Sequence, residues 1–179
     1  MSVGRPVAIA GYGWTCTLNC TVANGDEYVA AERLGRPMSA RGIARPNRAS
    51  AALTILCSPN ESGDGWFSAL PIERVGLAPC VMAVPGEVGR FLIGVDRLLL
   101  SVCPGELTVL ATPIAPIWSL SRLDDDSVVA LHELGALWIR AGVIAGVLDF
   151  DDVPQSVSIR HGEIVVVYEG KRATFRFGE

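Results

Sequence analysis

Histidine is scarce in this sequence of 179 residues, and its five cysteines include no C-x-x-C pair. The histidines are His132 and His161, and neither a histidine nor a second cysteine pair lies near Cys16 and Cys20. A structural zinc site needs four such ligands, usually supplied as two close pairs. We therefore expect no metal ion and no cofactor. An odd number of cysteines without paired spacing is typical of reduced thiols in the cytoplasm.

Long apolar runs are also missing. Residues 1–21 lack a sustained apolar core and a small-residue cleavage site, so no secretory signal peptide is expected. The longest uncharged stretch near the middle of the chain, LTVLATPIAPIWSLS at 107–121, is short and contains two prolines, which excludes a membrane span there. We therefore expect no membrane partner and a cytoplasmic location.

Positive charge is not in excess, because fifteen basic residues stand against nineteen acidic ones. A protein that neutralises phosphates needs a basic surface, so nucleic acid is not expected as a partner. The arginine-rich stretch 36–49 is interpreted as an exposed connection. Half of the residues are apolar, which is typical of an ordered domain with a sizeable core.

Short apolar runs alternate with stretches of helical spacing along the first 150 residues. Strands are predicted at 7–10, 73–86, 106–118 and 143–150, and helices at 27–34, 88–102 and 128–141. Such alternation favours an α/β fold with a mixed sheet. Two turns, His161-Gly162 and Glu169-Gly170, then separate alternating runs that predict a C-terminal antiparallel meander. We expect one domain over 1–179, with an α/β part at 1–152 and antiparallel strands at 153–179.

The stretch RLDDDSVVALHELGALWIRAG, residues 122–142, sets three aspartates before the predicted helix 128–141. That helix is apolar nearly all round, so it must be enclosed on most sides. Asp124, Asp125 and Asp126 are interpreted as N-cap and first-turn residues, which favour the positive end of a helix. An acidic catalytic or metal site is the alternative.

The other candidate residues have ordinary structural interpretations. His132, inside the apolar helix, is interpreted as an interior histidine rather than a general base. A second acidic cluster, Asp149, Asp151 and Asp152, could hold a hard cation, but its spacing follows no known loop and favours solvated turn residues. The sequence GYGW at 11–14 lacks the spacing of a dinucleotide fingerprint, which favours a tight turn.

Three segments, taken in order, resemble the N-terminal half of a β-ketoacyl synthase of the thiolase-like superfamily. RPVAIAGYGWTCTLN (5–19) is similar to that family's first strand and glycine turn, and LPIERVGLAPCVMAVP (70–85) to its second strand. SVVALHELGALWIRAGVIAGVLDF (127–150) resembles its long buried helix and the strand that follows. The resemblance implies a thiolase-like half, with a mixed sheet packed on a buried central helix and a C-terminal antiparallel meander.

The same resemblance implies that the reaction has been lost. The nucleophilic cysteine of the family stands at the start of the buried helix, and that position falls on Asp124 or Asp125 here. The nearest upstream cysteine is Cys103, and His161-Gly162-Glu163 does not match the family's H-G-T motif. The other catalytic groups belong to a second half that these residues do not cover. We therefore expect no catalytic residue and no enzyme activity.

The function expected from this resemblance is that of a non-catalytic accessory protein acting through protein–protein contacts. Its partner would be a second copy, or a ketosynthase-like subunit in a heterodimer, and bacterial secretion or effector systems carry such proteins. The alternative is a subunit of a fatty-acid or polyketide synthase that shapes an acyl pocket, with an acyl carrier protein as partner. A third hypothesis is an independent enzyme that uses Asp124 or Asp125.

Overall fold

The computed structural model describes residues 6–22, 36–41, 51–61, 63–73, 77–160 and 162–176, and these residues form strands and turns without a helix. No helix that could cross a membrane is therefore found in them. The strands, in chain order, are β1 (Val7–Gly11), β2 (Trp14–Val22), β3 (Arg36–Pro37), β4 (Ser39–Arg41), β5 (Ala51–Pro59), β6 (Trp66–Ile72), β7 (Cys80–Ala83), β8 (Phe91–Val95), β9 (Leu98–Cys103), β10 (Glu106–Ala111), β11 (Ile117–Arg122), β12 (Val128–His132), β13 (Gly135–Arg140), β14 (Val143–Asp149), β15 (Ser156–Arg160), β16 (Glu163–Tyr168) and β17 (Lys171–Arg176).

The strands form four sheets that follow one another along the chain. The strand orders are β1-β2-β5-β6-β3 in the first sheet, β7-β8-β9-β10-β4 in the second, β11-β12-β13-β14 in the third and β15-β16-β17 in the fourth. Apart from β3 and β4, neighbouring strands are antiparallel and joined in chain order. Each sheet is therefore an up-and-down meander.

The two short strands β3 and β4 cover the outer edges of the first two sheets. β3 pairs in parallel with β6, and β4 pairs in parallel with β10. Met38, between them, is buried in the core that these two sheets share, and its N–H donates to the carbonyl of Phe67 at 2.8 Å. One short segment, 36–41, thus closes two edges that would otherwise expose unpaired backbone groups.

Neighbouring sheets pack face to face through three apolar cores. The first core joins Leu53 and Ile55 of the first sheet to Phe91 and Ile93 of the second. Leu92, between those two on β8, points to the opposite side and packs in the second core, against the third sheet. The second and third sheets are therefore buried on both of their faces.

The first strands of the first three sheets lie side by side, because β7 contacts both β1 and β11. Four-stranded antiparallel sheets that pack face to face with their first strands adjacent have the arrangement of consecutive blades in a β-propeller. An up-and-down sheet of four strands returns the chain to the end at which it entered. The connections between sheets, and the turns between the second and third strands of each sheet, therefore lie at one end of the molecule.

We call this end the connection face. Its described residues are 73, 77–79, 96–97, 112–116, 133–134, 150–155 and 169–170. The opposite end, the turn face, carries the turns at 12–13, 84–90, 104–105, 123–127 and 141–142. Two backbone hydrogen bonds join parts of the connection face, from Ile117 N–H to the Asp96 carbonyl at 2.7 Å and from Phe150 N–H to the Leu134 carbonyl at 2.9 Å.

The predicted α/β fold is wrong, because two of the predicted helices are β-hairpins. Residues 88–102 contain β8 and most of β9, and residues 128–141 contain β12 and β13. All five residues of β12 are buried, since sheets cover both of its faces. A strand buried on both faces reads as a continuous apolar run and loses its alternation. The third predicted helix, 27–34, lies outside the described residues.

The resemblance to a thiolase-like ketosynthase half is wrong, because the helix that it requires is not formed. That fold needs a buried central helix at 128–141, and the structure has a hairpin of an all-β protein there. The same finding contradicts two further predictions, the acyltransferase fold and the mixed sheet packed on a central helix. Residues 156–176 do form an antiparallel meander, but it is the fourth of four similar sheets and not an addition to an α/β part.

Replacing Gly135 by alanine distinguishes the hairpin from a helix. A Cβ at this position would lie 2.3 Å from the carbonyl oxygen of Leu148 and 3.0 Å from the His132 ring. We expect Gly135→Ala to lower the free energy of unfolding by about 2–4 kcal/mol in urea titrations. In a helix the same change would stabilise by about 1 kcal/mol. Gly86→Ala, which has a positive φ but open space around it, is the control and should cost about 1 kcal/mol.

Candidate functional site

The three aspartates form the turn between β11 and β12, on the turn face. Leu123 N–H donates to the Ser127 carbonyl at 2.8 Å, and Asp126 N–H donates back to the Leu123 carbonyl at 3.2 Å. Asp126 has a φ of 64°, a left-handed conformation that aspartate tolerates better than most residues. The prediction that the aspartates cap a helix is therefore wrong, because they form the turn of a β-hairpin.

Each aspartate has a different role in this turn. Asp125 accepts hydrogen bonds from the backbone N–H of Ser127, at 3.1 Å, and from its hydroxyl. The Ser127 hydroxyl is the main cause that lowers the pKa of Asp125. Asp126 forms an ion pair with Arg122, whereas Asp124 is exposed to solvent. The hydrogen bonds and the ion pair of this turn therefore account for Asp125 and Asp126 without a substrate.

His132 ends β12 and is 4% exposed. Its ring lies against Gly135, the residue that pairs with it across the hairpin turn. Burial lowers the pKa of His132, and the negative charge of Asp149 opposes that shift. The interior position predicted for His132 agrees with this burial. His161, the other histidine, lies outside the described residues.

The second acidic cluster is spread along the connection face. Asp149 ends β14, and Asp151 and Asp152 follow it in the exposed connection to β15. The Asp152 carboxylate accepts the N–H of Val153 at 2.7 Å, as in a solvated turn. Among the described residues, no three His, Cys, Asp or Glu side chains come together as a metal site.

Two of the cysteines, Cys16 and Cys57, are core residues, and the other three are half-buried. Cys16 and Cys57 are opposite each other on β2 and β5, and both are fully buried. Contact with Cys57 and burial raise the pKa of Cys16, and burial raises that of Cys103. Raised pKa values keep these thiols protonated and unreactive at neutral pH. Cys20 pairs with Leu53, away from the opposed pair.

An apolar groove of about 430 Å³ opens at the connection face, between the third and fourth sheets. Three connections that the topology brings to this end supply most of its walls. The apolar side chains that line it are Leu77, Pro116, Trp118, Val153, Pro154 and Val157. Glu133, in the turn between β12 and β13, is the carboxylate among its lining residues. Sites that bind small ligands or a few side chains have this size and this apolar lining.

Trp118 reaches the groove through a β-bulge. Ile117 pairs with His132 and Ser119 pairs with Leu131, so Trp118 is an extra residue with no partner position on β12. A bulge of this kind re-aims a side chain out of the regular alternation of a strand. Trp118 is 41% exposed although its neighbour Ile117 is fully buried. The bulge thus presents a large apolar side chain at the surface.

Asp96 fixes the start of the strand that carries Trp118. It lies in the turn between β8 and β9 with a φ of 53°, and its carbonyl accepts the N–H of Ile117. Burial of its carboxyl group raises the pKa of Asp96. The neighbouring Arg97 forms an ion pair with Glu73 at 3.2 Å, across the same face. The second sheet therefore positions the groove wall that the third sheet provides.

Sequence analysis did not identify Trp118 or Glu133. Trp118 lies at the end of the predicted strand 106–118 and Glu133 inside the predicted helix 128–141, and neither pattern marks a surface residue. A usable signal was present: a tryptophan two residues after Pro116, at the start of an apolar strand. The three aspartates, which the sequence marks as candidates, lie at the opposite end of the molecule and are not brought together with the groove.

Comparisons with known proteins identify no relative in sequence. No family model matches the chain, and no curated protein matches it. Among solved structures the chain is similar to the "AfRom2 CNH domain", with 10% sequence identity and a TM-score of 0.46. The likeness covers 93% of this chain and 48% of that one, so this chain spans about half the length of the structure it matches. It supplies no information about function.

The aspartate turn makes a testable contribution to stability. Replacing Asp125 by alanine removes the acceptor of two hydrogen bonds, and we expect a loss of about 0.5–1 kcal/mol at this exposed site at pH 7. The pKa of Asp125 is lowered by folding, so its contribution is present above the ordinary value of 3.8 and fades as acid protonates it. Urea titrations at several pH values measure this. Asp124→Ala should change stability little, and an equal loss in both variants would contradict the assignment.

Proposed function

We propose that this protein is a non-catalytic binding module that holds a short segment of a partner protein in the groove of the connection face. One observation carries the proposal: a β-bulge displaces Trp118 into an apolar groove of about 430 Å³. Tryptophan is among the residues that most often dominate the energy of protein interfaces. An exposed tryptophan in a lined concavity is therefore better explained by binding than by folding.

The rest of the connection face supports binding of a segment rather than a flat surface contact. Ile114 is 75% exposed and Val153 51% exposed, on the two connections that border the third sheet. Both belong to loops held by rigid sheets, a common location for binding residues. Apolar side chains that extend beyond the groove give an extended peptide several anchor points.

Catalysis by the aspartates has no support from their surroundings. Asp124 and Asp125, the residues of the enzyme hypothesis, lie in an exposed turn on the turn face, away from the groove. Function through protein contacts stays our proposal, and so does the cytoplasmic location inferred from the cysteine pattern. A ketosynthase-like subunit or an acyl carrier protein as partner rested on the resemblance that the fold overturns. Those partners stay untested predictions without present support.

A second candidate contact is with another copy of this chain. Strand β14 is the outer edge of the third sheet, and no strand covers that edge in the part of the chain that is described. Val143 and Val147 on it are 59% and 61% exposed. The corresponding edges of the first two sheets are covered by β3 and β4. An exposed apolar edge strand is a template for pairing with a further strand.

Antiparallel pairing of two β14 strands about Ala145, a bulge residue with no partner position on β13, would be self-complementary on either side of the bulge. It would set Val143 opposite the partner's Val147, so that exposed valines on both copies become covered. It would also bring Arg140 and the partner's Asp149 to the same end of the interface, which joins opposite charges. A two-fold contact of this kind is the commonest route to a homodimer.

The groove is tested by peptide selection on the purified full chain. We expect random peptide libraries displayed on phage to yield apolar peptides that bind the wild type. The selected peptides should bind Trp118→Ser at least tenfold more weakly, since a buried aromatic anchor contributes more than about 1.4 kcal/mol. Fluorescence polarisation of labelled peptides measures the affinities.

Val88→Ser is the matched control, because Val88 is 73% exposed on the turn face. Peptide affinity in this variant should equal that of the wild type. Far-ultraviolet circular dichroism establishes that each variant is folded. Selection that yields no peptide, or peptides that bind Trp118→Ser as well as the wild type, would refute the proposed function.

The β14 contact is tested by the oligomeric state. Sedimentation velocity over a range of concentrations should show a monomer–dimer equilibrium for the wild type. Val147→Lys should abolish the dimer, because it places a charge opposite an apolar residue of the second copy. Val88→Lys should leave the dimer intact. A wild-type chain that stays monomeric at high micromolar concentration would exclude this contact while leaving the groove unaffected.

A further inference from the structure

We infer that the groove recognises an arginine side chain of its partner segment, held between the indole of Trp118 and the carboxylate of Glu133. The inference rests on the proposed function and names the chemistry of the occupant. Most of the groove is apolar, so it can take the aliphatic part of a long side chain. Its one carboxylate and its exposed aromatic ring can take the charged end.

Strand register places the two groups at the same end of the β11–β12 pair, on either side of one paired position. Ile117 and His132 are paired across the antiparallel strands β11 and β12, and Trp118 and Glu133 are the next residues from that pair in opposite directions. Both side chains line the groove at the same end of the strands. Glu133 is exposed, and no hydrogen bond or ion pair engages it among the described residues. The carboxylate therefore needs no rearrangement before it binds a cation.

The same molecule already contains a filled example of this arrangement. At the edge of the first sheet, the Arg36 guanidinium lies 6.0 Å from the centre of the Trp66 ring. Its Nη2 donates to the carboxylate of Asp64 at 2.9 Å. That trio accompanies the docking of the short strand β3 onto β6. Trp118 and Glu133 repeat the aromatic ring and the carboxylate, and the described residues provide no cation between them.

The charge of the connection face favours a basic partner. Its described residues include one arginine, Arg97, which is already paired with Glu73. Its acidic residues are Glu73, Asp96, Glu133, Asp151, Asp152 and Glu169. Nearby carboxylates raise the local concentration of a cationic ligand and discriminate against an acidic one. A negatively charged segment would meet repulsion at the groove.

The histidine next to Glu133 adds no opposing positive charge at neutral pH. His132 is adjacent to Glu133 and buried, and burial lowers the pKa of its imidazole. It is therefore neutral at pH 7, where an incoming guanidinium would otherwise be repelled. Arginine fits better than lysine because its planar group can stack on the indole while it donates to the carboxylate.

The test compares two synthetic peptides that differ in one charge. The first is Ac-Leu-Val-Arg-Pro-Leu-NH2, and the second carries citrulline, which is isosteric with arginine but neutral, in place of arginine. Binding to the full chain is followed by the indole N–H signal of Trp118 in nitrogen-edited proton NMR, assigned from its loss in Trp118→Phe. We expect the arginine peptide to bind about tenfold more tightly than the citrulline peptide, and this preference to shrink as salt is raised.

Substitution of the carboxylate tests the assigned partner. In Glu133→Gln the two peptides should bind with affinities within about twofold of each other, at the level of the citrulline peptide on the wild type. Asp124→Asn, an equal change of charge in an exposed turn on the opposite face, should keep the tenfold preference. The side chain of Glu133 is exposed in a two-residue turn, and the unchanged dispersion of the NMR spectrum confirms the fold of each variant.

The outcomes separate this inference from the proposed function. Equal affinity of the two peptides for the wild type, with a shifted Trp118 signal, overturns arginine recognition and leaves the binding groove intact. A preference for arginine that persists in Glu133→Gln overturns the assigned site. Absence of binding by either peptide also overturns the inference, and the phage selection decides separately whether the groove binds other segments.

Discussion

Burial of the second and third sheets on both faces is the constraint on which the rest of the structure depends. Residues that alternate along β8 and β12 pack into different cores, so each strand links two interfaces. The central sheets consequently have no face that can be polar. This requirement accounts for the high apolar content of the chain, and it fixes the relative positions of neighbouring sheets. The loops at their ends then have a rigid base.

Burial of a sheet on both faces also explains which elements could be predicted from the sequence and which could not. The strand at Val7 and the tight turn at Tyr12 and Gly13 were predictable, because glycine turns and a short apolar run mark them locally. The hairpin of β12 and β13 was not, because its strands lack alternation and its turn, Glu133-Leu134, lacks the usual turn residues. Gly135, which starts β13, was the available clue, because glycine is unfavourable inside a helix. A resemblance built on that segment inherited the error.

The candidate site was less predictable than the fold, for a different reason. Trp118 and Glu133 are fifteen positions apart, and only strand pairing with a one-residue bulge brings them to the same rim. Leu77 and Val153, which also line the groove, come from connections that lead into different sheets. The sequence does contain clusters of similar residues, the two groups of aspartates, but their side chains lie in or beside turns and do not form a site. The residues that share the groove come from separate segments of the chain. Each of those segments has the same polarity as the sequence around it, so nothing local marks it as part of a site.

The segment 36–41 has a consequence for how the protein opens. By pairing with β6 through β3 and with β10 through β4, and by burying Met38, it ties the first two sheets into one unit. The outer edge of the third sheet carries no such tie among the described residues. Cooperative units in proteins follow shared contacts of this kind. The amide protons of the first two sheets should therefore exchange with solvent as a single group, later than those of β14.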